Sequence, residues 1–395
     1  MRQVNFGRAL AVSGFLALAL IYSILWLQTI RDPGLRTGSD FIAFYTAGRI
    51  ANQFGAAHVY DVSLQQNIQQ AQVGFSLAPG QVLLYNHLPY LIPILQLIAV
   101  KDYVTSFILW DVLLLTLYTL TMYLLTKTLD WDAPSSVLAF IGGLTFFPAF
   151  VSLLNGQDSA FLVLGVALCL YFLARERDLF AGLGLALVTV RPQIAILLVI
   201  PFLFKRRKVL IGFGIGASLL AMVSMVMLGL DGTKQFIDFL LLTTNGEWYG
   251  IKESAMFNLI GILTRAAPTL NPQMIRLTGW IAYTLAALIL GWFAFKASSV
   301  QSKHLGMIVI ASLFFAPHLH YHDLALLLIP VFAFIGIRKW PFLPLIVSTI
   351  LLIGFAPELR YWIAYLVMAS LALMLFSPEK TQLIQNQFQS LWRKR

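Results

Sequence analysis

Apolar residues along this chain form long blocks that are separated by short polar or charged segments. Twelve apolar stretches can be distinguished. They cover residues 9–29, 103–126, 134–153, 159–174, 179–190, 193–204, 208–229, 275–296, 304–317, 323–337, 341–356 and 360–376. A helix needs about 20 predominantly apolar residues to cross the hydrocarbon core of a bilayer, and somewhat fewer where a polar cavity cuts into the protein. The pattern therefore predicts an all-α polytopic membrane protein with a bundle of about twelve transmembrane helices.

Two neighbouring stretches, 179–190 and 193–204, are too short to cross a bilayer alone. Basic residues flank the pair on both sides, and Arg191-Pro192 lies between its halves. Because proline disfavours helical geometry at the residue before it, we expect the helix to break at Arg191. We interpret the pair as a hairpin whose tip lies near the far surface or in a wet cavity.

The positions of the basic residues predict a cytoplasmic N-terminus. With that orientation, 17 of the 27 Lys and Arg residues lie in the shorter, cytoplasmic segments, as positive-inside statistics require. An even number of spans then returns the C-terminus to the cytoplasm. Residues 9–29 resemble a secretory signal, but no small-x-small cleavage site follows them, so we expect an uncleaved first span.

The organisation predicted is a single domain over residues 1–395, with two long outer segments, 30–102 and 230–274, and a cytoplasmic amphipathic tail, 377–395. In the first outer segment, Phe41, Phe44 and Ile50 recur near helical spacing, which predicts an amphipathic helix on the outer leaflet. Such a helix could bind the membrane interface without taking part in any chemistry.

Composition excludes a soluble protein. The chain is 59% hydrophobic and 11% charged, whereas soluble domains carry about 25% charged residues. The net charge of +10 could indicate nucleic acid, but the cations cluster between apolar stretches and are better explained by topology. The lone cysteine, Cys169, lies within an apolar stretch, where a packing role is expected. We find no Walker loop, dinucleotide fingerprint or metal-spaced Cys/His set, and expect no cofactor.

Polar residues that interrupt the apolar pattern are the candidates for function. A charge at the bilayer centre costs roughly 2.5 to 3.5 kcal/mol on insertion scales, so ionisable groups near membrane depth usually face cavities. On the predicted outer side they form five clusters: Arg36–Asp40, Tyr85–Pro89, Asn155–Asp158, Arg191–Gln193 and His318–Asp323. Five clusters on one side predict one outward-facing polar cavity.

Asp40 has two interpretations. As a helix N-cap it would accept hydrogen bonds from free backbone N–H groups and interact favourably with the helix dipole. Alternatively, its carboxylate is ionised at neutral pH and could act as a general base that takes a proton from an attacking hydroxyl.

Arg191 likewise has two interpretations. Its planar guanidinium suits bidentate binding of a phosphate, or it could extend to lipid headgroups by snorkelling.

The alternating histidines His318, His320 and His322 would share one face of a strand and could bind zinc, but apolar spans flank them. We favour contacts from one or two of them to an anion or a hydroxyl, with Asp323 capping the next span. For Asn155 and Gln157, capping of the following helix remains an alternative to substrate contact.

Several of these segments resemble the integral-membrane glycosyltransferases of the GT-C superfamily, specifically glycosyltransferase family 87, which includes polyprenyl-phosphate-mannose-dependent alpha-mannosyltransferases. "SDFIAFYTAGRI" at 39–50, with "VYD" at 59–61, resembles the family's first outer loop, where an Asp is the presumed base. "YNHLPY" at 85–90 is similar to a Tyr-x-His-Pro-Pro pattern, with Leu88 in place of the first proline.

Three later segments continue the resemblance in the same order. "NGQDS" at 155–159 is similar to a Gly-Gln element of the family. "AGLGLALVTVRPQIAILL" at 181–198 resembles a Gly-rich helix that ends in Lys-Pro-Gln, with Arg191 in place of the lysine. "APHLHYHDLALLLIP" at 316–330 resembles a Pro-rich turn that contains His or Asp.

The resemblance implies a GT-C-type fold and an inverting transfer of a hexose, with mannose expected, from a polyprenyl-phosphate donor to a lipid or glycan acceptor. It implies no obligatory metal and places the site on the outer face of the plasma membrane. Asp40 would be the base, and Arg191, His322 and His320 would bind the donor phosphate. Substrate contacts would come from Tyr45, Asn86, His87, Gln157, Gln193 and His318.

Two alternatives from other classes remain at this point. Twelve spans with broken helices also suit a secondary transporter or a flippase for lipid-linked sugars, although such proteins usually show paired halves and ionisable groups near the membrane midplane. A non-catalytic membrane scaffold is the other alternative. It would not need Asp40 and Arg191 on the same side.

Overall fold

The computed structural model describes residues 6–129, 131–244, 253–296, 300, 302–338 and 340–376. Within these ranges all regular secondary structure is helical and there is no strand, which confirms the prediction of an all-α protein. The predicted cytoplasmic tail, 377–395, and residues 245–252 of the second outer segment lie outside the described residues.

The helices follow one another closely along the chain. In chain order they are α1 (Phe6–Arg31), α2 (Pro33–Thr37), α3 (Phe41–Gln53), α4 (Val62–Val73), α5 (Ile92–Ile98), α6 (Tyr103–Thr126), α7 (Ala133–Leu144), α8 (Phe147–Asn155), α9 (Ser159–Leu173), α10 (Asp178–Leu185), α11 (Pro192–Phe204), α12 (Arg207–Thr244), α13 (Leu259–Ala266), α14 (Pro272–Lys296), α15 (Ser302–Phe315), α16 (Leu328–Arg338), α17 (Leu343–Ile353) and α18 (Leu359–Phe376). Short 3₁₀ segments occur at Ala56–His58, Pro79–Gln81, Pro89–Leu91, Ala186–Val190, Glu253–Ala255 and Tyr321–Leu327.

Six helices of the described chain are long and apolar enough to cross a membrane. They are Ala9–Arg31, Tyr103–Thr126, Arg207–Leu241, Pro272–Lys296, Tyr321–Arg338 and Leu359–Phe376. The pair α7 and α8, bent by 41°, would be a seventh if it forms one span. The chain is therefore a multi-pass membrane protein.

The other predicted stretches form shorter apolar helices. Each has 10–17 residues, and they are Ser159–Leu173, Asp178–Val190, Pro192–Phe204, Ser302–Phe315 and Leu343–Ile353. All twelve predicted stretches are thus helical, but the shorter ones do not have the length to cross alone, and a count of twelve spans stays a prediction. The expected break at Arg191 is confirmed, because its φ of −127° and ψ of 83° separate the Ala186–Val190 segment from α11.

The second predicted outer segment begins within a helix. Residues 230–244 are helical and continue α12 across a kink at Gly229, where φ is 64°. Asp231, Lys234 and Asp238 follow the kink, so the charged residues begin where the helix bends.

α3 is packed into the protein. Ten of its thirteen residues are buried, among them Phe41, Phe44 and Ile50. Its Gly48 packs directly on α5, since a Cβ there would lie 2.4 Å from the carbonyl oxygen of Leu95. The prediction of a helix at Phe41, Phe44 and Ile50 is thus confirmed, and this helix has extensive tertiary contacts.

The turn between α8 and α9 is packed tightly against the start of α3. Gly156 in this turn has φ +65°, a left-handed conformation that favours glycine. A Cβ at this position would lie 2.6 Å from the Cβ of Phe41, the residue after Asp40. The indole N–H of Trp110 donates to the Gly156 carbonyl at 2.7 Å and fixes the turn from α6. This packing holds the first and third polar clusters together.

Candidate functional site

A cavity of about 430 Å³ lies where the five polar clusters meet. Nine of the ten predicted site residues line it: Asp40, Asn86, His87, Gln157, Arg191, Gln193, His318, His320 and His322. These residues come from loops and helix ends that are up to 282 positions apart in the sequence, between Asp40 and His322. The convergence of all five clusters on one cavity agrees with the expectation from sequence.

Asp40 presents its carboxylate to this cavity without a structural partner. It precedes α3, but its side chain makes no capping hydrogen bond to that helix. Within the described ranges it forms no ion pair either. Its electrostatic interactions are with His320 and His322, which line the same cavity. The N-cap interpretation of the side chain is therefore not realised.

Arg191 lies between two buried carboxylates. Its Nη2 is 2.9 Å from Oδ1 of Asp158, and its Nε is 3.2 Å from Oδ1 of Asp323. Arg191 is only 8% exposed and both aspartates are 0% exposed, so snorkelling to headgroups is wrong. An arriving phosphate would have to compete with both carboxylates for this guanidinium. No local pattern in the sequence predicts this pairing.

Asp158 also binds the imidazole of His87. The Nδ1 of His87 lies 2.9 Å from Oδ2 of Asp158, and the ring packs at a tilt against Phe44 with a centroid distance of 4.4 Å. A carboxylate this close selects a protonated Nδ1, which leaves Nε2 of a neutral ring as an acceptor. Burial raises the pKa of Asp158, but Arg191 and His87 outweigh burial and hold that pKa below its usual range.

Asp323 joins the histidine loop, which comprises residues 318–322, to Arg191. Its Oδ2 accepts a hydrogen bond from the backbone N–H of His320 at 3.2 Å, which forms part of a capping box at the start of the Tyr321–Leu327 segment and confirms its capping role. The same oxygen lies 3.6 Å from Nε2 of His322. Its Oδ1 accepts from the hydroxyl of Ser159 at 3.4 Å in addition to Arg191. Asp323 thereby sets the position of two cavity-lining histidines.

The three alternating histidines form a row of neighbouring rings. Ring centroids are 4.7 Å apart for His318 and His320, and 5.9 Å apart for His320 and His322. Burial and the neighbouring His320 lower the pKa of His318 to about 3, and burial and His322 lower the pKa of His320 to about 4. Both rings are therefore neutral at pH 7. Among the residues that the structure describes, no group of three or more His, Cys, Asp or Glu could hold a metal ion.

Amide side chains complete the polar lining. The side-chain oxygen of Gln157 accepts from Nη2 of Arg191 at 3.5 Å, so it does not act as the cap of α9. Gln193 donates from Nε2 to the backbone carbonyl of His318 at 3.2 Å and ties α11 to the histidine loop. Asn86 lines the cavity and is exposed, which leaves it accessible to a substrate.

Tyr45 is a correction to the predicted site. It is 4% exposed and lies outside the cavity lining. Its hydroxyl donates to the carbonyl of Lys101 at 3.1 Å, and its ring packs edge-on against Tyr103 at 4.8 Å. The physical reason is helical geometry: five residues after Asp40, a side chain points about 140° away around the helix axis. Tyr45 therefore packs in the core and does not contact a ligand in this cavity.

Sequence reasoning missed four groups of the cavity region. The sequence predicted only a capping role for Asp323 and no role for Asp158. A carboxylate beside a membrane helix nevertheless indicates a charged partner. Arg360 and Tyr321 line the same cavity from the beginning of α18 and from the Tyr321–Leu327 segment. The available signal for Arg360 was a basic residue at the predicted outer end of the last span.

Comparison with known proteins shows the family of the chain. The sequence matches the family model of glycosyltransferase family 87 over residues 88–330, which is more than half of the chain. The matched part contains Asp158, Arg191 and the histidine loop, whereas Asp40 and His87 precede it. No curated protein matches the chain.

Proposed function

We propose that this chain, which belongs to glycosyltransferase family 87 and is thus a membrane glycosyltransferase, transfers a hexose, namely mannose. The donor would be a polyprenyl-phosphate sugar, the acceptor a hydroxyl of a lipid or glycan, and the reaction inverting. We place the cavity on the outer face of the plasma membrane, with both termini in the cytoplasm. The observation that carries the proposal is the Asp40 carboxylate, which faces the cavity without a capping bond or an ion pair among the described residues.

The chemistry assigned to Asp40 is general-base catalysis. As the acceptor oxygen attacks C1 of the sugar, its proton passes to the Asp40 carboxylate. The bond between C1 and the phosphate oxygen breaks on the opposite face, and its electron pair leaves with the lipid phosphate. A base in this position typically contributes about 10² to 10⁴-fold in rate.

The histidines suit hydrogen bonding rather than proton uptake in this mechanism. His318 and His320 have lowered pKa values of about 3 and 4, so at neutral pH each ring has one N–H donor and one acceptor nitrogen. We assign His320 and His322 to the donor phosphate, because both line the cavity and an imidazole N–H can donate a hydrogen bond to a phosphate oxygen. His87, His318, Asn86, Gln157 and Gln193 are assigned to sugar and acceptor hydroxyls.

Membership of a glycosyltransferase family favours this function over the transporter, flippase and scaffold alternatives. A lipid donor also fits a cavity formed by loops and helix ends of a membrane protein, since a polyprenyl chain can remain in the bilayer while its phosphate enters the protein. No feature of the described residues favours a second activity.

The donor class can be tested with the purified protein in lipid nanodiscs. The protein is incubated with a panel of polyprenyl-phosphate hexoses and, separately, with nucleotide-activated forms of the same sugars, using a membrane lipid extract as acceptor. We expect consumption of one polyprenyl-phosphate hexose, release of polyprenyl phosphate and a product whose anomeric configuration is opposite to that of the donor. Consumption of a nucleotide sugar alone would overturn the donor class, and retained configuration would overturn inversion.

A further inference from the structure

We propose that Arg360 is the cation that binds the donor phosphate in this cavity. The inference rests on the proposed function and deepens it, because it names the group that receives the charge of the leaving lipid phosphate. It replaces the role that sequence reasoning assigned to Arg191.

Arg360 has a guanidinium with unused donors. It lies at the beginning of α18 and lines the cavity together with Asp40 and His320. Its Nη2 donates to the hydroxyl of Tyr361 at 3.2 Å, while its Nε is buried and has no hydrogen-bond partner. In the described part of the chain, no carboxylate lies within the 4.0 Å of an ion pair with it.

Arg191 differs from Arg360 in its charge balance. Asp158 and Asp323 place two negative charges against the single positive charge of Arg191, so this trio is already net negative. An anionic phosphate brought to Arg191 would meet both carboxylates as well, and like charges at short distance repel. Arg360 has no such neighbour among the described residues. Of the two arginines that line the cavity, Arg360 is therefore the one with an uncompensated charge.

The surroundings of Arg360 suit a phosphate joined to an apolar chain. Its guanidinium lies 5.8 Å from the ring centroid of Phe355, which packs edge-on against Tyr321 at a centroid distance of 4.7 Å. Phe257 also packs edge-on against Tyr321 at 5.1 Å, and all three aromatic residues line the cavity. The Tyr321 hydroxyl is buried without a hydrogen-bond partner and interacts electrostatically with Arg360. This wall combines a cation and a phenol with an aromatic surface.

The negative charge of the phosphate increases during transfer, and a nearby cation would stabilise the added charge. The donor is a phosphodiester with one negative charge. When the bond between C1 and the phosphate oxygen breaks, the electron pair stays on that oxygen and gives a monoester with a second negative charge. The charge that Asp40 loses on accepting the proton thus appears on the lipid phosphate. A fixed guanidinium stabilises this developing charge without reorganisation.

The affinity for polyprenyl phosphate, the product that leaves the sugar, tests the role of Arg360 separately from the proposed function. The affinities of polyprenyl phosphate and of the uncharged polyprenol are measured for the purified protein in nanodiscs. The set comprises the wild type, Arg360→Ala, Arg360→Lys and the control Arg276→Ala. Arg276 lies on α14, pairs with Glu253 at 3.0 Å and is not part of the cavity lining. Thermal unfolding of each variant reports whether it is folded.

We expect Arg360→Ala to bind polyprenyl phosphate about 10- to 100-fold more weakly, as loss of a charge-assisted hydrogen bond predicts. Arg360→Lys should recover most of the affinity, because lysine also binds phosphate as a point charge. Polyprenol binding in both variants, and phosphate binding by Arg276→Ala, should stay at the wild-type level. In steady-state kinetics, Arg360→Ala should raise KM for the donor and lower kcat.

The two possible failures are distinct. Equal binding of polyprenyl phosphate by wild type and Arg360→Ala, or equal losses for polyprenyl phosphate and polyprenol, would overturn the role of Arg360 and leave the donor class intact. A wild type that does not distinguish polyprenyl phosphate from polyprenol would overturn the donor class itself. If Arg360→Ala is unfolded, Arg360→Lys decides: a folded lysine variant that has lost phosphate selectivity contradicts a simple charge role.

Discussion

Arg191 Nη2 and Asp158 Oδ1 lie 2.9 Å apart in a buried ion pair that connects the start of α11 to the start of α9. Asp323 extends the pair to the histidine loop through Arg191 Nε at 3.2 Å. Three chain segments that are distant in sequence are thus joined beneath the cavity by one guanidinium. Buried pairs of this kind cost much to break, because removal of one partner leaves the other as an unpaired charge. The following predictions start from this arrangement.

Arg191→Ala should strongly destabilise the protein. The change leaves the buried carboxylates of Asp158 and Asp323 without their cation, for which about 3 to 5 kcal/mol is typical. Thermal unfolding in detergent or nanodiscs should show a large drop in Tm. Arg276→Ala is the matched control, because it breaks a partly exposed pair with Glu253 that is worth about 0 to 1 kcal/mol. Similar small losses in both variants would contradict a structural role for Arg191.

Asp323→Asn should cost less than Arg191→Ala. Arg191 would keep Asp158 as a counter-ion, and the net negative charge of the trio would be removed. The asparagine side-chain oxygen could still accept the hydrogen bond from the backbone of His320. We therefore expect a smaller decrease of Tm than in Arg191→Ala. The reverse order of the two variants would show that Asp158 alone does not hold the guanidinium.

Gly156→Ala should lower both stability and transfer rate. The residue has φ +65°, and the new Cβ would lie 2.6 Å from the Cβ of Phe41, directly after Asp40. Strain of this kind costs about 1 to 3 kcal/mol and should shift the start of α3. Gly214→Ala in α12 is the control, because no atom lies within 4 Å of its added Cβ. Unfolding and initial rates should change for Gly156→Ala alone, and equal behaviour of both variants would contradict the packing argument.

Acidification should destabilise the protein through the histidine loop. Burial lowers the pKa of His318 to about 3 and that of His320 to about 4, whereas both bind protons near pH 6.5 when the chain is unfolded. Below pH 6.5 the unfolded state therefore binds more protons, and stability falls as pH decreases towards 4. Each histidine adds up to about 1.4 kcal/mol per pH unit to this slope.

The control for the pH effect is the double variant His318→Gln with His320→Gln. It should show a shallower decrease of Tm between pH 7 and pH 4 than the wild type. Identical slopes would mean that these two rings do not stay neutral in the folded protein.

Much of the fold could be predicted from the sequence because few backbone structures are stable within a lipid bilayer. Apolar stretches of sufficient length must be helical there, since backbone polar groups have no other partners. Polar residues are costly at membrane depth, so the five polar clusters in the sequence were sufficient to predict a shared cavity. The helix break at Arg191 followed from the proline after it. Local chemistry was sufficient in each of these cases.

The pairing of charges could not be predicted in the same way. Asp158, Arg191 and Asp323 meet only because α9, α11 and the Tyr321–Leu327 segment pack together, and no local pattern encodes that contact. Arg360 was overlooked for the same reason. Tyr45 is a different case, since its offset of five residues from Asp40 already indicated another face of the helix.

The most direct test of the account is the transfer rate of Asp40→Asn, measured with its affinity for polyprenyl phosphate. Asparagine has nearly the same size and cannot accept the acceptor proton at neutral pH. Because Asp40 makes no capping bond to α3, the variant should fold and bind polyprenyl phosphate as the wild type does. We predict a loss of about 10² to 10⁴-fold in transfer rate with Tm and affinity unchanged. Wild-type transfer by Asp40→Asn would remove Asp40 from the mechanism and contradict the central claim.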